Sequence, residues 1–187
     1  DLLEELGCHS IKIASADVEE AALRVKLGPE KKRLQTERER KLTAYHEAGH
    51  AVASHFLSGA DPVHRVSIVS RGMALGFTLS QPDRDKYSNT EHELRDLIAV
   101  MMGGRAAEKI VFNEMTGGAS SDIEKATRIA RAMVVELGMS RLGPVALGPM
   151  WDRDSWGKGY VMEPAKVAES TQSKVDEEIR RLVDDGY

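Results

Sequence analysis

A mainly α-helical fold with one small β-hairpin is the architecture this sequence predicts, on three observations. Apolar residues recur at three- and four-residue spacing through five separate stretches, whereas two-residue alternation is confined to a single region. Two of the helical stretches open with a Thr/Ser-x-x-Glu pattern, which satisfies the first free N–H groups of a helix. Gly and Pro punctuate the segments between them.

Taken in order, the first helix is expected over Asp17 to Leu27, with Val18, Ala21, Ala22 and Val25 on one stripe and Gly28-Pro29 as its stop. That pair is also the best domain boundary, leaving residues 1–27 as a remnant of a preceding module and 28–187 as the main domain. From Glu30 the pattern turns helical again, charged at first and then apolar, as far as Leu57; Gly59, Asp61 and Pro62 end it. Val63 to Val69 and Ala74 to Leu79 then alternate as strands around Ser70-Arg71-Gly72-Met73, the only convincing β element. Thr90 with Glu93 starts a helix whose buried stripe is Leu94, Leu97, Ile98 and Met101; Gly103-Gly104 within it either permits close packing against another backbone or marks a break. Ser121 with Glu124 starts another, running to Gly138, and a last helix spans Pro164 to Asp185 with Val167, Val175, Ile179 and Leu182 inward. Gly148 to Met162 shows no clear period and reads as a loop.

The chain has 187 residues, 41% hydrophobic and 30% charged, with a net charge of −4. These values suit a soluble globular domain and argue against nucleic acid as a partner, which calls for a basic excess on one face. The Lys31 to Lys41 cluster is interrupted by Glu37 and Glu39, so it reads as a solvated helix face. Cys8 is the sole cysteine, which excludes an intrachain disulfide and a multi-thiolate zinc site. No run of 18 apolar residues occurs, and the chain starts with Asp, so the expectation is a piece of a longer protein whose membrane anchor lies outside it.

The most informative residues are His46-Glu47-Ala48-Gly49-His50, an H-E-x-x-H pentad within the helical run. Residues four apart project from one helix face, so both imidazoles can grip one Zn²⁺, while Glu47 leans toward the remaining coordination position as a base. An open catalytic zinc site needs a third protein ligand. His55 falls on the Tyr45-Ala48-Val52 stripe and reads as packed; His64 and His92 are possible ligands. Among carboxylates, Glu91, Glu93, Asp96, Glu108, Glu114 and Asp122 all qualify, with Asp122 favoured by its place after Gly117-Gly118 at a helix start. Pattern alone does not choose.

The pentad, followed by Asp61-Pro62-Val63-His64-Arg65-Val66, Arg71-Gly72-Met73-Ala74-Leu75-Gly76, Gly103-Gly104-Arg105-Ala106-Ala107-Glu108 and Thr116-Gly117-Gly118-Ala119-Ser120-Ser121-Asp122, resembles the peptidase domain of the FtsH family of membrane-anchored, ATP-dependent AAA proteases. The resemblance covers about residues 28–148 and implies His46, His50 and Asp122 as ligands of Zn²⁺, with Glu47 as catalytic base. It further implies a mainly helical domain with its β element beside the zinc and a homo-hexameric ring beneath ATPase modules. Residues 1–27 would be the tail of the ATPase lid, and the domain would stand on the cytoplasmic, matrix or stromal side of a membrane. Gly157-Lys158 is followed by Gly159, so no phosphate-binding loop exists and ATP is expected only on a module outside this chain. Unfolded polypeptides are the expected substrates, adding as a strand along the edge formed by Ala74, Leu75, Gly76, Phe77 and Thr78.

Rival readings are weaker. A di-iron bundle needs a second Glu-x-x-His, which is absent. A serine hydrolase needs a Gly-x-Ser-x-Gly elbow, also absent. A non-catalytic helical scaffold with a vestigial metal site is the alternative, opposed by the presence of every required side chain.

Overall fold

The computed structural model describes residues 13–82, 85–148, 150–153, 160–163 and 167–187, so that Cys8, the lysine of Gly157-Lys158 and Pro164 lie outside it. Helix α1 (Ser15–Leu27) begins where the Asp17 carboxylate accepts the Ala14 N–H at 2.8 Å, and ends at Gly28, whose φ of 87° suits glycine. Its expected apolar stripe does not pack. Val18 and Val25 are exposed, and Leu23 is the buried residue of the helix. Charge decides which face turns inward: Glu19 pairs with Arg65, and Glu20 meets the buried Arg71 through two bonds of 3.0 and 2.6 Å. These residues share a face with Leu23.

Helix α2 (Glu37–Phe56) starts later than periodicity suggests: residues 31–36 lie outside any helix, and the chain at Lys31 is bound to the hairpin turn instead. Lys31 N–H donates to the Ser70 carbonyl at 2.9 Å. Thr36 then caps the helix, accepting from Glu39 N–H, while the Glu39 side chain accepts from Thr36 N–H at 2.7 Å. The outer face of α2 is open to solvent. Tyr45, Val52 and His55 are exposed, which corrects the expectation of a packed His55.

The hairpin forms from β1 (Val63–Ser67) and β2 (Phe77–Ser80), antiparallel, with Ser67 opposite Phe77 and Val63 opposite Ser80. Both strands are shorter than expected. Arg71 and Ala74 exchange backbone hydrogen bonds of 3.1 and 2.9 Å across a tight turn, so Ala74, Leu75 and Gly76 precede β2 rather than extending it. A second antiparallel pair, β3 (Met150–Arg153) with β4 (Tyr160–Glu163), replaces the loop expected over 148–162. Asp152 and Arg153 broke the alternation that would have marked β3, although Trp151, Tyr160 and Val161 favour strands.

Helix α3 (Glu91–Phe112) opens with the expected capping box, Glu93 N–H donating to Thr90 Oγ1 at 3.2 Å and Thr90 N–H to Glu93 Oε2 at 2.8 Å. Helix α4 (Ser120–Val135) starts differently. A 3₁₀ turn over Gly117–Ala119 leads into it, with Thr116 Oγ1 accepting from Gly118 N–H; the expected Ser121 cap is not used. Helix α5 (Glu169–Gly186) completes the set. Leu94, Ile98 and Met102 of α3, Ala126, Ala130, Met133 and Val134 of α4, and Val175, Ile179 and Leu182 of α5 form one core. On its opposite side α3 crosses α2 with the glycine backbones in contact. A methyl group on Gly49 would stand 2.3 Å from the Gly103 carbonyl oxygen, so Gly103 serves close packing and not a break. Among the described residues no helix is long and apolar enough to cross a membrane.

Candidate metal centre

Two helices, α2 and α4, deliver the donor atoms. His46 and His50, one turn apart on α2, are buried and aim their Nε2 atoms at the same point, 3.1 Å from each other. Asp122, in the first turn of α4, brings Oδ2 to 3.3 Å from His46 Nε2 and 3.5 Å from His50 Nε2. No other group of three such side chains occurs among the described residues.

The opposite ring nitrogens are already committed. His50 Nδ1 lies 2.7 Å from the Val100 carbonyl, which can only accept, so Nδ1 carries the proton and Nε2 of the neutral ring holds a lone pair. His46 Nδ1 lies 2.7 Å from Glu108 Oε1, which imposes the same tautomer. Two lone pairs and a carboxylate facing one another repel unless a cation lies between them. The separations of 3.1 to 3.5 Å match the edge of a tetrahedron around zinc, about 3.3 Å for bonds near 2.0 Å. Gly104 of α3 closes the cradle: a Cβ there would stand 2.6 Å from His50 Nε2 and 2.7 Å from His46 Nε2. This donor set therefore fits a divalent zinc ion held by three protein donors.

Electrostatics sort the two acids. Burial opposes charge on Asp122, yet the close approach of the His46 and His50 rings, which draw positive charge to this point, overcomes that and holds its carboxyl well below the usual carboxylate range. On His46 burial acts to lower the pKa, and Asp122 and Glu108 outweigh it and raise it. Both shifts report the same field, one that favours positive charge between the imidazoles and the aspartate. Glu47 goes the other way. Burial raises its pKa, and the Thr78 hydrogen bond with the two imidazoles only partly offsets this. One acid is thus built to stay ionised and the other to take up a proton.

The remaining candidates have other partners. His64 and His92 are exposed, and His92 Nε2 lies 3.1 Å from Ser58 Oγ. Glu91 pairs with Arg95, Glu93 caps α3, Asp96 accepts from Gly59 N–H at 2.8 Å, and Glu114 pairs with Arg38. Of the hairpin residues, Ala74 and Leu75 are exposed, Gly76 and Phe77 are buried, and Thr78 lies half-buried with Oγ1 2.8 Å from Glu47 Oε2. Sequence reasoning named Glu108 as one possible ligand and missed its outer role. Its Oε2 also accepts from Thr116 N–H at 2.8 Å, tying His46 to the turn that carries Asp122. The available signal was the one-turn spacing from Gly104 to Glu108, which puts both on the face crossing the pentad.

A helical domain in which an H-E-x-x-H helix is crossed by a glycine-bearing helix and completed by an aspartate from a third defines an H-E-x-x-H peptidase architecture. The model of Peptidase family M41 matches residues 33–187, and the chain belongs to that family. It is 47% identical over 178 residues to the ATP-dependent zinc metalloprotease FtsH of Rubrobacter xylanophilus, covering 94% of this chain and 27% of that protein. Against two proteins of Conexibacter woesei, ATP-dependent zinc metalloproteases FtsH 1 and FtsH 3, identity is 44% over 178 residues and 48% over 179. The matches cover 94% and 95% of this chain, and 27% and 23% of those proteins. The chain thus spans about a quarter of the length of these relatives.

Proposed function

We propose that this domain is a zinc-dependent endopeptidase, the proteolytic part of a longer ATP-dependent, membrane-anchored protease acting on unfolded polypeptides. The observation that carries the reading is the convergence of His46 Nε2, His50 Nε2 and Asp122 Oδ2 beside a buried glutamate. His46, His50 and Asp122 would hold the zinc, which supplies Lewis acidity and brings the pKa of a bound water toward neutrality. Glu47 accepts a proton from the attacking water and returns it to the leaving amine, the role for which its raised pKa suits it. Glu108 and the Val100 carbonyl keep both rings in the tautomer that leaves Nε2 free.

An extended substrate would lie along Ala74, Leu75, Gly76, Phe77 and Thr78, taking backbone hydrogen bonds from a segment adjoining Glu47; such bonds do not depend on side-chain identity. The membrane anchor and ATPase lie outside residues 28–187 in this reading, with residues 1–27 the tail of the ATPase lid and the domain on the cytoplasmic, matrix or stromal side. A homo-hexameric ring, drawn from the family resemblance, agrees with the exposed Tyr45, Val52 and Phe56 along α2.

The test is a pair of substitutions. Glu47→Gln retains about one zinc per chain and loses at least about 100-fold in hydrolysis of an unstructured casein substrate; turnover near the parent level rejects Glu47 as base. Asp122→Asn lowers zinc occupancy and activity together, and an unchanged metal-to-protein ratio rejects Asp122 as ligand.

A further inference from the structure

We infer that Thr78 is a positioning residue for Glu47, fixing one carboxylate oxygen so that the other is presented to the attacking water. Thr78 Oγ1 lies 2.8 Å from Glu47 Oε2 and 3.0 Å from the Glu47 carbonyl oxygen, so a single hydroxyl spans the two ends of the same residue. It has one proton to give, and the carboxylate, being charged, is the stronger acceptor. The carbonyl belongs to the helix backbone and cannot move independently. The bond from the strand to Oε2 restricts the side-chain torsions of a residue that otherwise has three free rotors. Oε2 is then engaged, and Oε1 is the oxygen that receives the proton.

The hydroxyl arrives from β2, where Thr78 stands opposite Val66, and not from the pentad helix. A threonine on a strand is ordinary, since β-branching suits the pleat. What strand propensity does not explain is that both acceptors of this hydroxyl are atoms of Glu47. The approach is close along the whole junction: a methyl group on neighbouring Gly76 would meet Glu47 Cγ at 3.0 Å. The strand proposed to receive substrate and the orientation of the base are therefore mechanically linked.

This inference rests on the reading of Glu47 as base, and the experiment separates the two. In the zinc-loaded protein, hydrolysis of a fluorogenic unstructured peptide is measured for the parent, Thr78→Val, Thr78→Ser and Glu47→Gln, with zinc content determined for each. Valine keeps the shape and removes the donor; should it fail to fold, Thr78→Ala takes its place. The expected result is a loss of about 10- to 100-fold in kcat for Thr78→Val, with KM and zinc content unchanged and serine restoring kcat to within about threefold. A kcat for Thr78→Val within about threefold of the parent overturns the inference. So does a rise in KM alone, which would make Thr78 only a substrate contact, and so does a serine variant as impaired as the valine. Parent-like turnover by Glu47→Gln would instead remove the base assignment itself, and this inference with it.

Discussion

Glu108 shows how one buried side chain can hold a site without touching what the site binds. Both of its oxygens are used: Oε1 faces His46 Nδ1 at 2.7 Å and also accepts from Thr116 Oγ1 at 3.2 Å, and Oε2 accepts the Thr116 N–H at 2.8 Å. The contact with His46 sets a ring tautomer, and the two from Thr116 pin the turn that delivers Asp122. A carboxamide of the same shape presents one acceptor instead of two and places an NH₂ against one of these donors. Glu108→Gln is therefore expected to weaken zinc affinity by about 10- to 100-fold while leaving the far-ultraviolet circular dichroism unchanged. Competitive titration with a chelator of known affinity measures this, and an unaltered zinc dissociation constant would leave Glu108 a packing residue only.

At the scale of elements, the α2–α3 crossing depends on glycines with separate tasks. Gly49 and Gly103 let two backbones touch, whereas Gly104 makes room for the imidazole nitrogens. The same methyl group should consequently have different effects. Gly49→Ala meets a backbone carbonyl at 2.3 Å and must separate the helices, costing about 1–3 kcal/mol, seen as a fall in Tm with or without zinc. Gly104→Ala meets the ends of two side chains at 2.6 and 2.7 Å, and is expected to lose zinc at a stability closer to the parent's. Equal Tm losses and equal zinc contents in both variants would refute the division. Sequence patterns reached these helices well: the α3 capping box, the core stripe through Leu94 and Ile98, and the inward face of α5 through Val175, Ile179 and Leu182 are where periodicity and cap chemistry put them. They miscarried where a distant partner overruled local preference. The α1 stripe lost to ion pairs with Arg65 and Arg71, Lys31 was bound to the Ser70 carbonyl where a helix was expected, and β3 was hidden by its own charges. The approach of Asp122 to the pentad is of the same kind: no spacing rule relates positions 76 residues apart, and the family likeness supplied what local pattern could not.

Across the whole molecule α3 is shared between two tasks, with the pentad helix on one side and the core against α4 and α5 on the other. Whatever loosens the core reaches the site through α3, which carries Val100, Gly104 and Glu108, and through α4, which carries Asp122. One electrostatic contact ties α5 to the segment after α4: Glu178 on α5, itself buried, accepts from Arg181 Nε at 3.0 Å, from Arg181 Nη2 at 2.9 Å and from Arg141 N–H at 3.2 Å. The Arg181 hydrogen bonds chiefly hold its carboxyl below the ordinary glutamate range, against the opposing effect of burial, and the Arg141 N–H adds to them. A group whose pKa is depressed by folding contributes stability above its unfolded pKa, near 4.3. That contribution is lost as pH falls through the lower, folded value. Glu178→Gln should then cost about 1–3 kcal/mol near pH 7, and the gap in stability between parent and variant should narrow below about pH 4 as the parent's own carboxylate is protonated. Chemical denaturation of both proteins between pH 7 and pH 3 tests this, and a gap that stays constant across the range would mean that α5 is held by its apolar face alone.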